Sequence, residues 1–120
     1  PLVQNLKPFG FRDYNKLQMN SYCVLSDSGT LSEESAMLGF AGVLIRTSTE
    51  RPEVLDKGSV VIGGITDKTV EQAMELAVEM RANNEEVVMA GDYADTNVSV
   101  KVVKLIQSYT DIVNRTVWGK

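Results

Sequence analysis

Between Tyr22 and Ile45 the chain runs apolar, then small and polar, then amphipathic, then apolar again, and that order within so few residues constrains the fold more than any other feature. Tyr22 to Ser26 reads as a buried strand, Leu31 to Leu38 as a helix that Gly39 stops, and Val43 to Ile45 as a second strand. Two strands joined by a helix cannot close a tight hairpin, so they pair in parallel through a crossover. Ser26-Asp27-Ser28-Gly29-Thr30 lies at the strand-to-helix turn. Small residues there let backbone N–H groups approach a ligand at the N-terminus of the next helix, a geometry that suits a phosphate or diphosphate. A second polar cluster, Arg46 to Glu53, follows the second strand, so two successive strand ends carry polar residues on the edge where open α/β sheets take ligands.

The same pattern extends in both directions. Val3 to Leu6 is predicted as a short strand and Phe11 to Asn20 as a short helix packed by one face bearing Tyr14, Leu17 and Gln18. Pro52 at a first helical position and Gly58 beyond the last predict a short helix over 53–57. Ser59 to Ile62 is a third strand. Thr66 or Asp67 caps a longer helix to about Asn83, with Val70, Ala73, Met74, Ala77 and Val78 on one face. A last helix from Thr96 to Val113 aligns Val98, Val102, Leu105, Ile106, Tyr109 and Val113 as a stripe that reads as core or interdomain packing. The expectation is an α/β, Rossmann-like parallel sheet flanked by helices, with so few strands that it belongs to a larger structure.

Composition narrows the chemistry. With 120 residues, a net charge of -4 and no basic run, the chain has the length of one domain and lacks the positive face that a phosphate-backbone reader needs. It contains no histidine and one cysteine, which excludes a Ser-His-Asp triad, a histidine metal site and an internal disulfide within these residues. The start at Pro1 reads as a cut within a longer polypeptide. No apolar run approaches the roughly 20 residues of a membrane helix, so a cytoplasmic location with no membrane partner is expected.

The motifs resemble a known family. Ser26-Asp27-Ser28-Gly29 followed by Glu33-Glu34, Gly39, Arg46 and Thr49-Glu50-Arg51-Pro52-Glu53 is similar to the C-terminal domain of the non-hydrolysing UDP-N-acetylglucosamine 2-epimerases. The ending from Ser108 to Trp118 resembles the capsule and O-antigen branch that forms UDP-N-acetyl-L-fucosamine. The resemblance implies the C-terminal half of a glycosyltransferase-B-like two-domain fold, with residues 1–120 as the UDP-binding half and the N-terminal catalytic domain, which carries the acids and bases, outside this chain. It further implies a UDP-sugar substrate, no cofactor or metal, no nucleic-acid partner, and a homodimeric full-length protein. A base would remove the sugar C-2 proton as UDP departs from C-1, and the glycal-like intermediate would be reprotonated on its opposite face as UDP returns.

Residue by residue, the resemblance assigns Ser28, Gly29 and Thr30 to the diphosphate, Glu34 to both ribose hydroxyls and Arg51 to the phosphates of the departing UDP. Tyr14 matches an aromatic near the uracil, and Phe9 stands where relatives that read the base edge carry a polar residue. Thr30 and Ala41 replace a frequent Gly and Pro. Local alternatives stand beside these roles. Thr30 and Glu33 satisfy a Ser/Thr-x-x-Glu capping box, Arg51 can pair with Glu50 or Glu53, and Arg46 can either face the cleft or pair with a carboxylate. Two other functions fit the same residues: the donor-nucleotide domain of a glycosyltransferase, and a free-standing UDP-binding regulatory domain.

Overall fold

The structure is a computed structural model that describes residues 2–56, 60–83 and 91–120. Among the described residues the sheet has three parallel strands in the order β1 (Val24–Ser26), β2 (Gly42–Leu44) and β3 (Val61–Ile62). Helix α1 (Phe11–Asn20) precedes the sheet, α2 (Leu31–Leu38) joins β1 to β2, and α3 (Pro52–Asp56) lies between β2 and β3. Helices α4 (Asp67–Ala82), α5 (Gly91–Ala94) and α6 (Val98–Thr116) complete the described chain. Register runs Val24 opposite Gly42, Leu25 opposite Val43 and Ser26 opposite Leu44, then Val43 opposite Val61 and Leu44 opposite Ile62.

Strand β2 is buried along its whole length because it is the middle strand and is covered on both faces. Successive strand side chains point to opposite faces. Leu44 accordingly joins Leu31, Phe40 and Val60 in one core cluster, while Val43 joins Ala41, Ala73 and Ala77 in the other. The alanines let α4 approach the sheet closely, and Thr66 starts that helix by accepting from the Thr69 amide at 3.4 Å. Gly39 ends α2 in the left-handed region at φ 71°, which a side-chain-bearing residue adopts at a cost. At the far edge, Arg81 of α4 donates to the carbonyls of Ser21 and Met19 at 3.1 and 3.3 Å, placing a cation at the negative end of α1 and tying that helix to the body.

Helices α1, α2 and α4 lie where the periodicity placed them, and β2 sits one residue earlier than predicted. Val3 to Leu6 is a correction: these residues form no strand and stand exposed, pairing with neither outer strand of the sheet and leaving their backbone to water. The short helix starts at Pro52 and ends at Asp56; Lys57, Gly58 and Ser59, which the sequence places at its end and at the start of the third strand, lie outside the described residues. The last helix begins two residues later than predicted and runs to Thr116, and none of its residues is buried, so its apolar stripe belongs to no core among the described residues. A radius of gyration of 18.7 Å reflects this. A compact chain of this length would have about 14 Å.

These positions separate core from stripe by a measurable amount. Leu44→Ala, at a side chain 2% exposed, is expected to lower the unfolding free energy by about 3 kcal/mol. Leu105→Ala on α6 is expected to change that of the same 120-residue chain by less than about 0.5 kcal/mol. Urea unfolding followed by circular dichroism distinguishes them; equal losses would contradict the assignment of the core.

Candidate functional site

The C-terminal ends of β1 and β2 open onto one polar edge. After β1, the Ser26 hydroxyl accepts from the Ser28 amide at 3.0 Å, and the Ser28 and Thr30 hydroxyls share a hydrogen bond of 3.0 Å. The amides of Leu31 and Ser32 donate to the carbonyls of Ser28 and Gly29 at 3.3 and 3.4 Å. Among the described residues the amides of Gly29 and Thr30 have no partner, which leaves two donors at the entrance of α2 beside the positive end of its dipole. Such a turn is suited to an anion.

The capping box does not form. Thr30 already has helical backbone angles, φ -69° and ψ -17°, and its side chain caps no amide. Glu33 instead reaches across to Arg51, whose Nε lies 2.7 Å from Glu33 Oε1. This also corrects the local pairing of Arg51 with Glu50 or Glu53. The loop after β2 holds the arginine in place, with the Arg51 amide donating to Thr49 Oγ1 at 3.1 Å. The guanidinium lies over the turn so closely that a Cβ at Gly29 would overlap Arg51 Nη1. A side chain there would displace the guanidinium, so glycine is what lets Arg51 rest on the turn. The pair is one-third exposed on the arginine side, so it adds little to stability; what it does is hold a five-donor fork above the two free amides.

Glu34, on the same first turn of α2, points the other way and is half-buried. Its Oε2 accepts from Gln18 Nε2 of α1 at 2.7 Å, a contact between residues 16 apart in sequence. Gln18 is 3% exposed, and its Oε1 is buried with no partner. The sequence reading treated Gln18 as one of three packing residues on α1. The structure splits them, with Leu17 52% exposed. Tyr14 lies one turn before Gln18 on the same face of α1. Phe9 lies elsewhere, lining with Asp13, Lys16, Leu17 and Asn20 an open groove of about 410 Å³ that Tyr14 does not border. The site residues thus fall into three groups: Ser28, Gly29, Thr30 and Arg51 around the turn; Glu34 with Gln18 and the neighbouring Tyr14; and Phe9 in its own groove.

Two titratable groups are displaced from their ordinary values. Burial pushes the Cys23 thiol up, against a smaller opposing effect of the Val24 backbone, which makes it a poor nucleophile. Desolvation, followed by the hydrogen bond that the Tyr93 phenol donates to Glu53 Oε1 at 3.2 Å and the charges of Glu33 and Glu53, raises Tyr93, while Arg51 works in the opposite direction. Tyr93 thereby joins the charged cluster from the α5 side, a neighbour that no sequence spacing announced. No cluster of three or more potential metal ligands occurs among the described residues, and none of their helices is long and apolar enough to cross a membrane.

Comparison with known proteins adds an independent line. The family profile described as UDP-N-acetylglucosamine 2-epimerase matches residues 1–107. A Thermotoga maritima protein provisionally named for that activity is 29% identical over 113 residues, covering 88% of this chain and 30% of the relative. The UDP-N-acetylglucosamine 2-epimerase of Methanococcus maripaludis is 32% identical over 74 residues, 62% of this chain and 20% of the relative. The solved structure of UDP-N-acetylglucosamine 2-epimerase from Rickettsia bellii superposes with a TM-score of 0.85 at 40% identity, over 96% of this chain and 32% of that one. The chain therefore spans about a third of the length of the solved relative, and no more than that of the two curated ones.

The raised phenol gives a pH dependence with a defined sign. The folded chain holds the Tyr93 proton more tightly than the unfolded chain, so this contribution is complete below the ordinary tyrosine pKa of about 10 and disappears as pH rises through the higher folded value. The urea midpoint of Tyr93→Phe is expected to fall less than that of wild type between about pH 9 and pH 11. Parallel declines would show that the phenol is not displaced.

Proposed function

The chain belongs to the UDP-N-acetylglucosamine 2-epimerase family, and from that premise we propose that it is the UDP-binding half of a nucleotide-sugar 2-epimerase, lying C-terminal to a catalytic domain. The observation that carries this reading is the convergence at the entrance of α2: two unpartnered amides, the Arg51 guanidinium above Gly29, and a half-buried Glu34 on the same turn.

In this reading the diphosphate sits on the Gly29 and Thr30 amides with the Ser28 and Thr30 hydroxyls beside it. Arg51 supplies charge-assisted donors to the phosphate oxygens as negative charge develops on departing UDP. Glu34, with acceptor oxygens only, takes the ribose hydroxyls. Tyr14 stacks near the uracil, and Phe9 contributes at the base end through its main chain. At the sugar, a base of the other domain removes the C-2 proton, the C1–O bond breaks with its electron pair leaving on UDP, and a double bond forms between C-1 and C-2. UDP then adds back to C-1 while a proton is delivered to the opposite face of C-2. Nothing is oxidised or reduced overall, so the reaction calls for no redox cofactor.

The exposed stripe of α6 supports the second domain, because six apolar residues at helical spacing with no cover among the described residues suit an interface with the remaining length of a relative-sized protein. The branch suggested by the ending from Ser108 to Trp118 makes the precursor of UDP-N-acetyl-L-fucosamine the preferred substrate, with a cytoplasmic, homodimeric full-length enzyme.

Titration of the 120-residue chain with UDP, followed by amide NMR shifts, is expected to give weak saturable binding centred on 28–34. Glu34→Ala and Arg51→Ala are each expected to weaken it about tenfold, the size of one charge-assisted hydrogen bond. The chain alone is expected to epimerise nothing. Absence of saturable shifts, or equal affinity in both variants, would overturn the binding assignment, and turnover by the isolated chain would overturn its place as half of a cleft.

A further inference from the structure

We propose that Gln18 is a positioning residue for Glu34, fixing the carboxylate in the orientation that reads the nucleotide's ribose. The inference rests on the reading that Glu34 accepts the ribose hydroxyls, and it assigns a role to a residue that the periodicity marked only for packing.

Three observations converge on it. Gln18 Nε2 donates to Glu34 Oε2 at 2.7 Å, a short, charge-assisted hydrogen bond. Among the described residues no cation lies in ion-pair range of Glu34, so the amide is what restrains the carboxylate. The restraint has a price in folding: Gln18 is 3% exposed and its Oε1 is buried with no partner, whereas an apolar side chain of the same length would fill the place without stranding a carbonyl.

The donor also stands on a fixed platform. The Gln18 carbonyl accepts from the Ser21 hydroxyl at 2.7 Å, and Arg81 clamps the carbonyls of Met19 and Ser21 from α4. A glutamate side chain has three rotatable bonds, and taking two vicinal hydroxyls requires its oxygens in one defined plane. With Oε2 held by Gln18, Glu34 keeps Oε1 and the second lone pair of Oε2 for the sugar. Orientation set before the ligand arrives removes an ordering cost from binding. Gln18 Oε1 is itself inaccessible, so Gln18 acts through Glu34 and touches no ligand.

The test uses UDP and 2′-deoxy-UDP as paired ligands for wild type, Gln18→Met, Glu34→Ala and the double variant. Wild type is expected to prefer UDP about tenfold, equivalent to about 1.4 kcal/mol. Gln18→Met, which conserves volume and removes the donor, is expected to reduce that preference to within about threefold by weakening UDP more than 2′-deoxy-UDP, which offers Glu34 the 3′-hydroxyl alone, and to leave the thermal midpoint equal or higher. In the Glu34→Ala background Gln18→Met should add nothing, the sign of two residues acting as a unit. Gln18→Leu provides a second apolar replacement. A retained preference in Gln18→Met, or equal loss for both ligands with a lowered midpoint, would overturn the positioning role while leaving the UDP reading intact. A wild type that binds UDP without preferring it, or does not bind it, would instead overturn the ribose reading, and the role of Gln18 with it.

Discussion

Parallel pairing of β1 with β2 determines where every polar group of the site ends up. Because the two strands point the same way, α2 must cross back over the sheet, and its N-terminus is delivered to the same edge at which both strands finish. The pairing is secured from both faces, with Leu44 packed among Leu31, Phe40 and Val60 and Val43 among Ala41, Ala73 and Ala77. Burial of β2 is therefore more than a contribution to stability. It fixes the separation between the turn after β1 and the loop after β2, and so brings Gly29 and Arg51 together although they stand 22 positions apart in sequence.

Long-range contacts at that edge prevail over local ones. Glu33 has a capping partner three residues away but pairs with Arg51, and Glu34 is engaged by an amide from a different helix. Each adjacent carboxylate of α2 thus has its own counterpart on a separate element. On the proposed reading this divides the work, with Glu33 holding the phosphate-directed guanidinium and Glu34 directed at the sugar. An incoming diphosphate meets the Nη donors of Arg51 while Nε stays on Glu33, since the fork has donors for both.

The fold was readable because its signals are periodic and local. Val70, Ala73, Met74, Ala77 and Val78 marked the buried face of α4, and the small turn after Leu25 marked the crossover. What escaped depended on partners remote in sequence. Val3 to Leu6 has strand-like composition but joins no strand, and the capping box lost Glu33 to an arginine 18 positions on. Gln18 was the most instructive case, since its spacing placed it on the packed face of α1, where it is buried, while its bond to Glu34 depends on a helix 16 residues away. The glycine at 29 was legible as a close-approach residue, although the group that approaches it in this structure is Arg51. The apolar stripe of α6 was legible as a stripe, whereas its cover lies beyond the described residues.

The central claim is that the entrance of α2 is a diphosphate site with a ribose acceptor one side chain away. A crystal structure of the chain grown with UDP tests it most directly. With UDP bound, phosphate oxygens are expected on the Gly29 and Thr30 amides and on Arg51 Nη1, with Nε still on Glu33, and the ribose hydroxyls on Glu34 with the Gln18 hydrogen bond intact. UDP bound with no phosphate on the Gly29 and Thr30 amides and no ribose hydroxyl on Glu34 would contradict it.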